Sequence, residues 1–458
     1  MENVNSPRSK WTLSVIRQQL SDRQELRRIL SNIAWLVANN IIQIISGLLV
    51  GAWVARYLGP DERGIMNYAS SFVALFVPLC TLGLGGILIR DLVRDPEAKG
   101  ELMGTAFIIQ NIAYLLLLPI MILSILLLRP DDSNAKWAVF ILALGEIFSI
   151  SRTFKFWFDS QLQSRYTVIA FRGADLITAG MKVALIYTSA SLNAFLVVLV
   201  VQNMLGLVGQ TFLYLQSGEK IRTWRFSMER AKSLIRDGWP LALSLFAVTI
   251  SLKIDSVMLG QMLDDRAVGI YGEASRLSQL WYFVPLAIST SAYPVLVRAH
   301  KELSPKVYKR RDQLFFDSFA AVGYLIAIPA AILAPFIVNL LYGKEYSETS
   351  AVLSIHIWAL IFIGFGFGLR RWLAIEDMTV LSLWTALSGA VVNIALNLIF
   401  IPRFGIMGAA WTMVISSAVS GYFICLLFPR LRPLFRQLTI ALLLPVRIPS
   451  ILYNYFSG

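Results

Sequence analysis

Twelve runs of mostly apolar residues divide this chain, each close to the length needed to cross a bilayer, and this constrains its fold more than any other feature. About 20 residues at 1.5 Å per residue span about 30 Å of hydrocarbon. The runs fall at residues 31–55, 65–88, 102–127, 137–158, 166–187, 193–216, 238–260, 268–296, 313–338, 350–370, 378–401 and 406–428. In lipid each backbone polar group must find its partner inside its own segment, so the expected fold is an all-α membrane protein of about 12 transmembrane helices. Composition agrees: 57% of residues are hydrophobic and 15% charged, with a mean hydropathy of +0.64, whereas soluble domains carry about a quarter charged residues. Cys80 and Cys425 lie far apart in apolar runs, which excludes a disulfide framework and a cysteine metal cluster and makes both core residues.

The net charge of +13 would suggest nucleic acid in a soluble chain, but membrane topology accounts for it. Of the 41 Lys and Arg, thirty fall in alternate connections, at the span ends that adjoin them (Arg152, Lys155 and Arg370 among these) or in the termini, seven in the intervening connections, and four deep inside spans. The side with thirty is the cytoplasmic one by the positive-inside rule, so both termini are expected there, in a multi-pass protein of the cell inner membrane with no nucleic-acid partner. Residues 1–30 hold no secretory signal; Arg17, Arg23, Arg27 and Arg28 make them a basic amphipathic segment, with Ser21 and Gln24 placed as a capping box. Residues 429–458 are Arg-rich, then apolar only in pieces broken by Pro445 and Pro449, and read as a cytoplasmic or interfacial tail.

The chain repeats internally. Leu58, Gly64, Ile65 and Ala69 recur as Leu263, Gly269, Ile270 and Ala274 at a constant offset of 205, in each case at the turn between the first and second span of a half. Six spans return the chain to its starting side, so the halves are expected as two parallel six-helix bundles, 31–216 and 237–428, joined by a basic linker, 217–236. Two such bundles rocking about a central cavity are an alternating-access design.

Charges inside spans cost roughly 2.5–3.5 kcal/mol each on insertion scales, so those retained are candidate site residues. Arg172, Asp175 and Lys182 fall within about 80° of arc on the fifth span and form one polar stripe. Arg172 and Asp175, at i and i+3, can instead simply neutralise each other, which leaves Lys182 without a local partner. On the seventh and eighth spans Lys253, Asp255, Glu273 and Arg276 share a depth, and a cross-helix pair between Asp255 and Arg276 is expected, as substrate contact or as structural clamp. Their counterparts in the first half are Leu48, Val50, Tyr68 and Ser71, so the repeated fold does not require this polarity. Glu146, Asp175, Asp255 and Glu273 balance the four bases inside the spans, and they are the candidate structural or coupling carboxylates. Arg90 and Arg152, with Lys155, add positive charge at the inner mouth. Asn39, Asn40, Gln43, Asn393 and Asn397 are expected to satisfy one another or the backbone, and His356 to be a packing residue. No nucleotide loop, metal-ligand spacing or catalytic triad is legible, so no enzyme, metal or cofactor is expected.

Several segments resemble a known family. Residues 54–60 and 64–70, then 81–86 with Ile89-Arg90-Asp91, resemble the first two helices of Wzx-type O-antigen and polysaccharide flippases. Residues 254–263, 268–271 and 281–285 resemble their seventh and eighth helices, and 397–410 their eleventh-to-twelfth turn. The resemblance implies membership of the superfamily that also holds lipid II flippases and multidrug (MATE) exporters. It implies movement of an undecaprenyl-diphosphate-linked oligosaccharide from the cytoplasmic to the periplasmic leaflet, with the polyprenyl tail left among membrane lipids. A polysaccharide polymerase and glycosyltransferases would be its protein partners. By the same resemblance Arg276 is the residue that would hold the diphosphate, while Arg172, Lys182, Lys253, Arg90 and Arg152 are substrate-binding candidates by their charge and position. A cation-coupled multidrug exporter is the alternative, against which the lack of a carboxylate in the first span counts.

Overall fold

The computed structural model describes residues 47–302 and 304–447; the basic amphipathic segment, the capping box at Ser21, and Asn39, Asn40 and Gln43 lie outside them. The described chain is helical: α1 (47–80), α2 (Leu84–Arg94), α3 (Lys99–Leu128), α4 (Ser133–Gly145), α5 (Arg152–Ser160), α6 (Ser164–Tyr187), α7 (Leu192–Gln216), α8 (Met228–Met262), α9 (Asp265–Gln279), α10 (Phe283–Glu302), α11 (Pro305–Tyr342), α12 (Ser347–His356), α13 (Ala359–Ile375), α14 (Thr379–Ala418), α15 (Ile424–Leu427) and α16 (Arg432–Leu442). Among the described residues eight helical stretches are long and apolar enough to cross a membrane, nine if α12 and α13, bent by 44°, act as one span. Apolar residues such as Leu116, Leu127, Leu325 and Ile332 stand exposed on them, as lipid-facing residues must.

Two of those stretches run for 48 residues, about 72 Å of helix and more than twice the hydrocarbon thickness. Each is folded back at a glycine with positive φ, Gly59 (71°) and Gly405 (58°), where only glycine enters without strain. Pro60 follows Gly59 with φ preset for the first turn of a helix. Helix α6 falls outside the apolar set because Arg165, Arg172, Asp175 and Lys182 interrupt it.

The repeat is visible as a contact. A β-carbon on Gly64 would meet the backbone of Asp265, and one on Gly269 would meet the backbone of Pro60. Shifting the first pair by 205 exchanges it for the second, the signature of a two-fold interface in which one patch meets its own copy. We call the end of the molecule carrying these turns the turn end, and the end carrying residues 217–236 the linker end.

The two ends pack differently. At the turn end a single core joins both halves, with Ala55, Tyr68 and Phe195 from the first and Leu259, Tyr271 and Val338 from the second. At the linker end the cores are separate: Leu84, Leu102, Phe158 and Tyr214 in the first half, Phe316, Phe365, Leu369 and Cys425 in the second.

The linker is shorter than its sequence suggests, because α8 begins at Met228, capped by the Ser227 hydroxyl accepting from Arg230 N–H. It is also stitched to the first half. Arg225 N–H donates to the Gly100 carbonyl and Ser227 N–H to Thr105 Oγ1, each at 3.0 Å, while Trp224 packs among Phe107, Phe154 and Tyr214. Ala231 and Leu234 of α8 belong to the first half's core, and Val257 and Leu259 to the joint one. In the tail, α16 buries Leu434 and Leu438 in the second half's core and keeps Arg432 and Arg436 exposed.

Candidate functional site

Between the halves lies a cavity of about 740 Å³. Its walls come from α1 (Gly47, Gly51, Asn67, Ser70, Ser71), α6 and α7 (Phe171, Arg172, Asp175, Lys182, Gln202), and α8 to α10 (Lys253, Ser256, Ser275, Arg276, Gln279, Phe283). Arg63 completes the lining. Among the described residues five bases line the cavity and one carboxylate, Asp175, does so.

The predicted stripe on α6 does face this space. Arg172 pairs with Asp175, as the i, i+3 spacing allows, so mutual neutralisation is part of its role. Lys182 Nζ donates to Gln202 Oε1 at 3.2 Å, and Gln202 Nε2 donates to Asp175 Oδ1 at 2.7 Å. The amide of α7 thus ties the lysine to the carboxylate, two turns apart on α6.

The second cluster is wired differently from expectation. Asp255 does not meet Arg276; it is buried, accepting from Tyr271 Oη at 2.5 Å and from Asn397 Nδ2 at 2.6 Å. Asn397 also donates to Asn393 at 3.0 Å, so the α14 asparagines satisfy each other and this carboxylate. The residue before the stretch 254–263 explains the split: Lys253 and Asp255 are about 200° apart on α8, so one faces the cavity and the other faces α14. Glu273, fully buried, accepts from Arg63 Nε at 2.6 Å, across the two halves. Arg276 reaches α1, where its guanidinium donates to the Gly47 carbonyl, and a β-carbon at Gly51 would fall on it. Lys253 makes no hydrogen bond or ion pair among the described residues.

Arg90 and Arg152 are not part of the lining. Arg90 bridges Asp91 at 2.7 Å and Asp237 at 3.1 Å, and Arg152 approaches Glu146 at 3.4 Å. Glu146 is buried behind the wall, and His356 packs edge-on to Tyr271.

Three lining features escaped sequence reasoning. Arg63 reads as a turn base, and its repeat counterpart, Val268, gives no hint of a cavity role. Gln202 does leave a signal, a polar residue in the middle of the apolar α7, of the same kind as Asn393. Gly47 and Gly51, four residues apart on one helix face, mark a close approach, but only the fold shows that a side chain fills it.

Membrane helices packed as two groups around a charged cavity, fused at one end and parted at the other, define a multi-pass membrane transport protein. Comparison with known proteins narrows this. The family profile described as Polysaccharide biosynthesis protein matches residues 29–300, and the chain belongs to that family. Residues 240–399 also match the family described as MatE. The capsular polysaccharide biosynthesis protein CapF of Staphylococcus aureus is 20% identical over 86% of this chain and 97% of its own length. The probable flippase AglR of Haloferax volcanii is 23% identical over 82% of this chain and 78% of its own. Among solved structures, an inward-facing multidrug MATE transporter of the MOP superfamily superposes with a TM-score of 0.72 at 16% identity, covering 88% of this chain and 98% of its own. The lipid II flippase MurJ in an inward closed conformation gives 0.68 at 15% identity, covering 93% of each chain. At these identities the structural likeness establishes the shared fold.

Proposed function

We propose that this protein is a flippase that carries an undecaprenyl-diphosphate-linked oligosaccharide from the cytoplasmic to the periplasmic leaflet. The observation that carries this reading is the sign of the cavity: five lining bases against one carboxylate, with Glu273 and Asp255 behind the wall. In a low-dielectric wall such an excess attracts an anion and repels a cationic drug. Family membership and relatives named for capsule synthesis and flipping support the same substrate class.

In this reading Lys253 and Arg276, which have no carboxylate at ion-pair distance among the described residues, hold the two phosphates while the polyprenyl tail remains in lipid. The chain crosses the inner membrane twelve times as two six-helix repeats, both termini and the linker end being cytoplasmic, as the distribution of bases supports. The parted linker end then admits substrate from the inner leaflet. Opening the turn end requires Arg63 to leave Glu273 and the paired glycine turns to separate. Asp255, locked by Tyr271 and Asn397, serves to fix α8 against α9 and α14. Glycosyltransferases supply the substrate and a polysaccharide polymerase receives it.

The test is reconstitution into liposomes with lipid-linked oligosaccharide on one leaflet and, separately, cationic dyes under a proton or sodium gradient. Movement of the lipid-linked sugar, lost when Lys253 and Arg276 are both changed to Gln, is the expected result. Dye extrusion without sugar movement would instead establish a multidrug exporter.

A further inference from the structure

We propose that the α6–α7 wall of the cavity is a sugar subsite that selects a glycan bearing an acidic residue, with Lys182 pairing the sugar carboxylate. The proposal rests on the flippase reading above and adds to it the chemical class of the glycan.

A polyprenyl–diphosphate–sugar linkage has both phosphates esterified or bridged, so it carries one ionised oxygen on each and two negative charges in all. The α8–α9 wall supplies two bases, Lys253 and Arg276, and no lining carboxylate, which matches that demand. On the opposite wall Arg172 is met by Asp175 on its own helix. Lys182 is not met: its partner is the neutral amide of Gln202 at 3.2 Å, and no carboxylate lies within ion-pair distance of it among the described residues. Residues 29–46, directly before α1 in sequence, contain no charged side chain and so hold no acid. One positive charge beyond the needs of a diphosphate therefore faces the cavity.

The surroundings of Lys182 are those of a sugar site. Asp175 and Gln202 present acceptors and an amide donor suited to hydroxyls, and Asn67, Ser70 and the aromatic Phe171 belong to the same lining. When a bound glycan displaces water, a neutral sugar leaves the ammonium with only a neutral amide. A uronic acid, or another sugar carrying a carboxylate, supplies the counter-charge and removes that penalty. Selection thus comes from a charge left unmet in the wrong complex as much as from one met in the right complex.

The experiment uses the full chain in liposomes with two polyprenyl-diphosphate oligosaccharides of equal length, one containing a uronic acid and the other the matching neutral hexose. Flipping is read as loss of the glycan to a membrane-impermeant glycosidase. The native protein is expected to favour the acidic substrate about tenfold or more. Lys182→Gln should abolish the preference, lowering the acidic rate and raising the neutral one until the two meet, and Lys182→Arg should retain the preference. Equal rates for both substrates in the native protein would overturn the proposal. So would an equal slowing of both by Lys182→Gln, which would make Lys182 a third diphosphate contact. Movement of neither substrate by the native protein would sink the flippase reading itself.

Discussion

The turn end and the linker end carry the same two halves of the chain, yet at the first the halves share one core and at the second each keeps its own, with only the start of α8 packed against the first half. At the turn end, backbones meet at Gly64 and Gly269, a buried ion pair joins Arg63 to Glu273, and carbonyls of one half accept from side chains of the other. Arg129 of the first half donates to the Gly260 carbonyl and to Asp265 and lies 4.2 Å from the Tyr68 ring centroid. Tyr346 of the second half donates to the carbonyl of Ala55, which is the repeat counterpart of Gly260. At the linker end the polar contacts run from the linker and the start of α8 to the first half, as in Arg230 to Asp95 and Arg90 to Asp237. Desolvated contacts between the halves therefore concentrate at the turn end. Opening the turn end must break packed, desolvated contacts, whereas closing the linker end brings exposed surfaces together.

Four substitutions test that contrast. The largest effect is expected from Glu273→Gln, which leaves the Arg63 guanidinium buried without a counter-charge and should lower stability by about 3–5 kcal/mol. Thermal unfolding in detergent reads it, and replacing both partners by Arg63→Met with Glu273→Leu should recover most of the loss. An unchanged melting point for the single variant would show that the turn end is held without this pair. Next, Gly64→Ala or Gly269→Ala places a methyl on the opposing backbone, a strain of about 1–3 kcal/mol. Because the strain is absent once the turns separate, a cysteine at Ser71 should become more reactive from the turn side. Unaltered labelling would mean that the turns do not gate the cavity.

Tyr346→Phe removes one hydrogen bond between the halves, at 3.0 Å, and should cost about 1 kcal/mol by the same unfolding measurement. Arg90→Gln is expected to do least, under about 1 kcal/mol, since its partners sit at an exposed surface where ion pairs are weak. If Arg90→Gln destabilised the protein more than Tyr346→Phe, the linker end would have to be counted as a second joint.

Much of this could be read from residues in order. Arg172 and Asp175 are neighbours on one helix turn, so their pairing follows from spacing, as does the common face they share with Lys182. The turns at Gly59 and Gly405 follow from glycine between apolar runs. The expected pair of Asp255 with Arg276 failed for a physical reason. A helical wheel gives the angle between two residues of one helix, but not which neighbour each face meets, and α14 presents Asn397 to the Asp255 face.

Charge shows the division most sharply. Sequence alone determined that the chain lies in a membrane, that it repeats at an offset of 205, and that four acids balance four bases inside the spans. These follow from composition and period, which are properties of the linear chain. That the balance is not local shows only in the fold: Arg63, in the cavity lining and far from Glu273 in sequence, neutralises that buried carboxylate, while Lys182, Lys253 and Arg276 face the cavity without an acidic partner among the described residues. The physical reason is that a charge acts through its nearest partners in a low-dielectric medium, and those partners are brought together by packing between helices, not by their order along the chain.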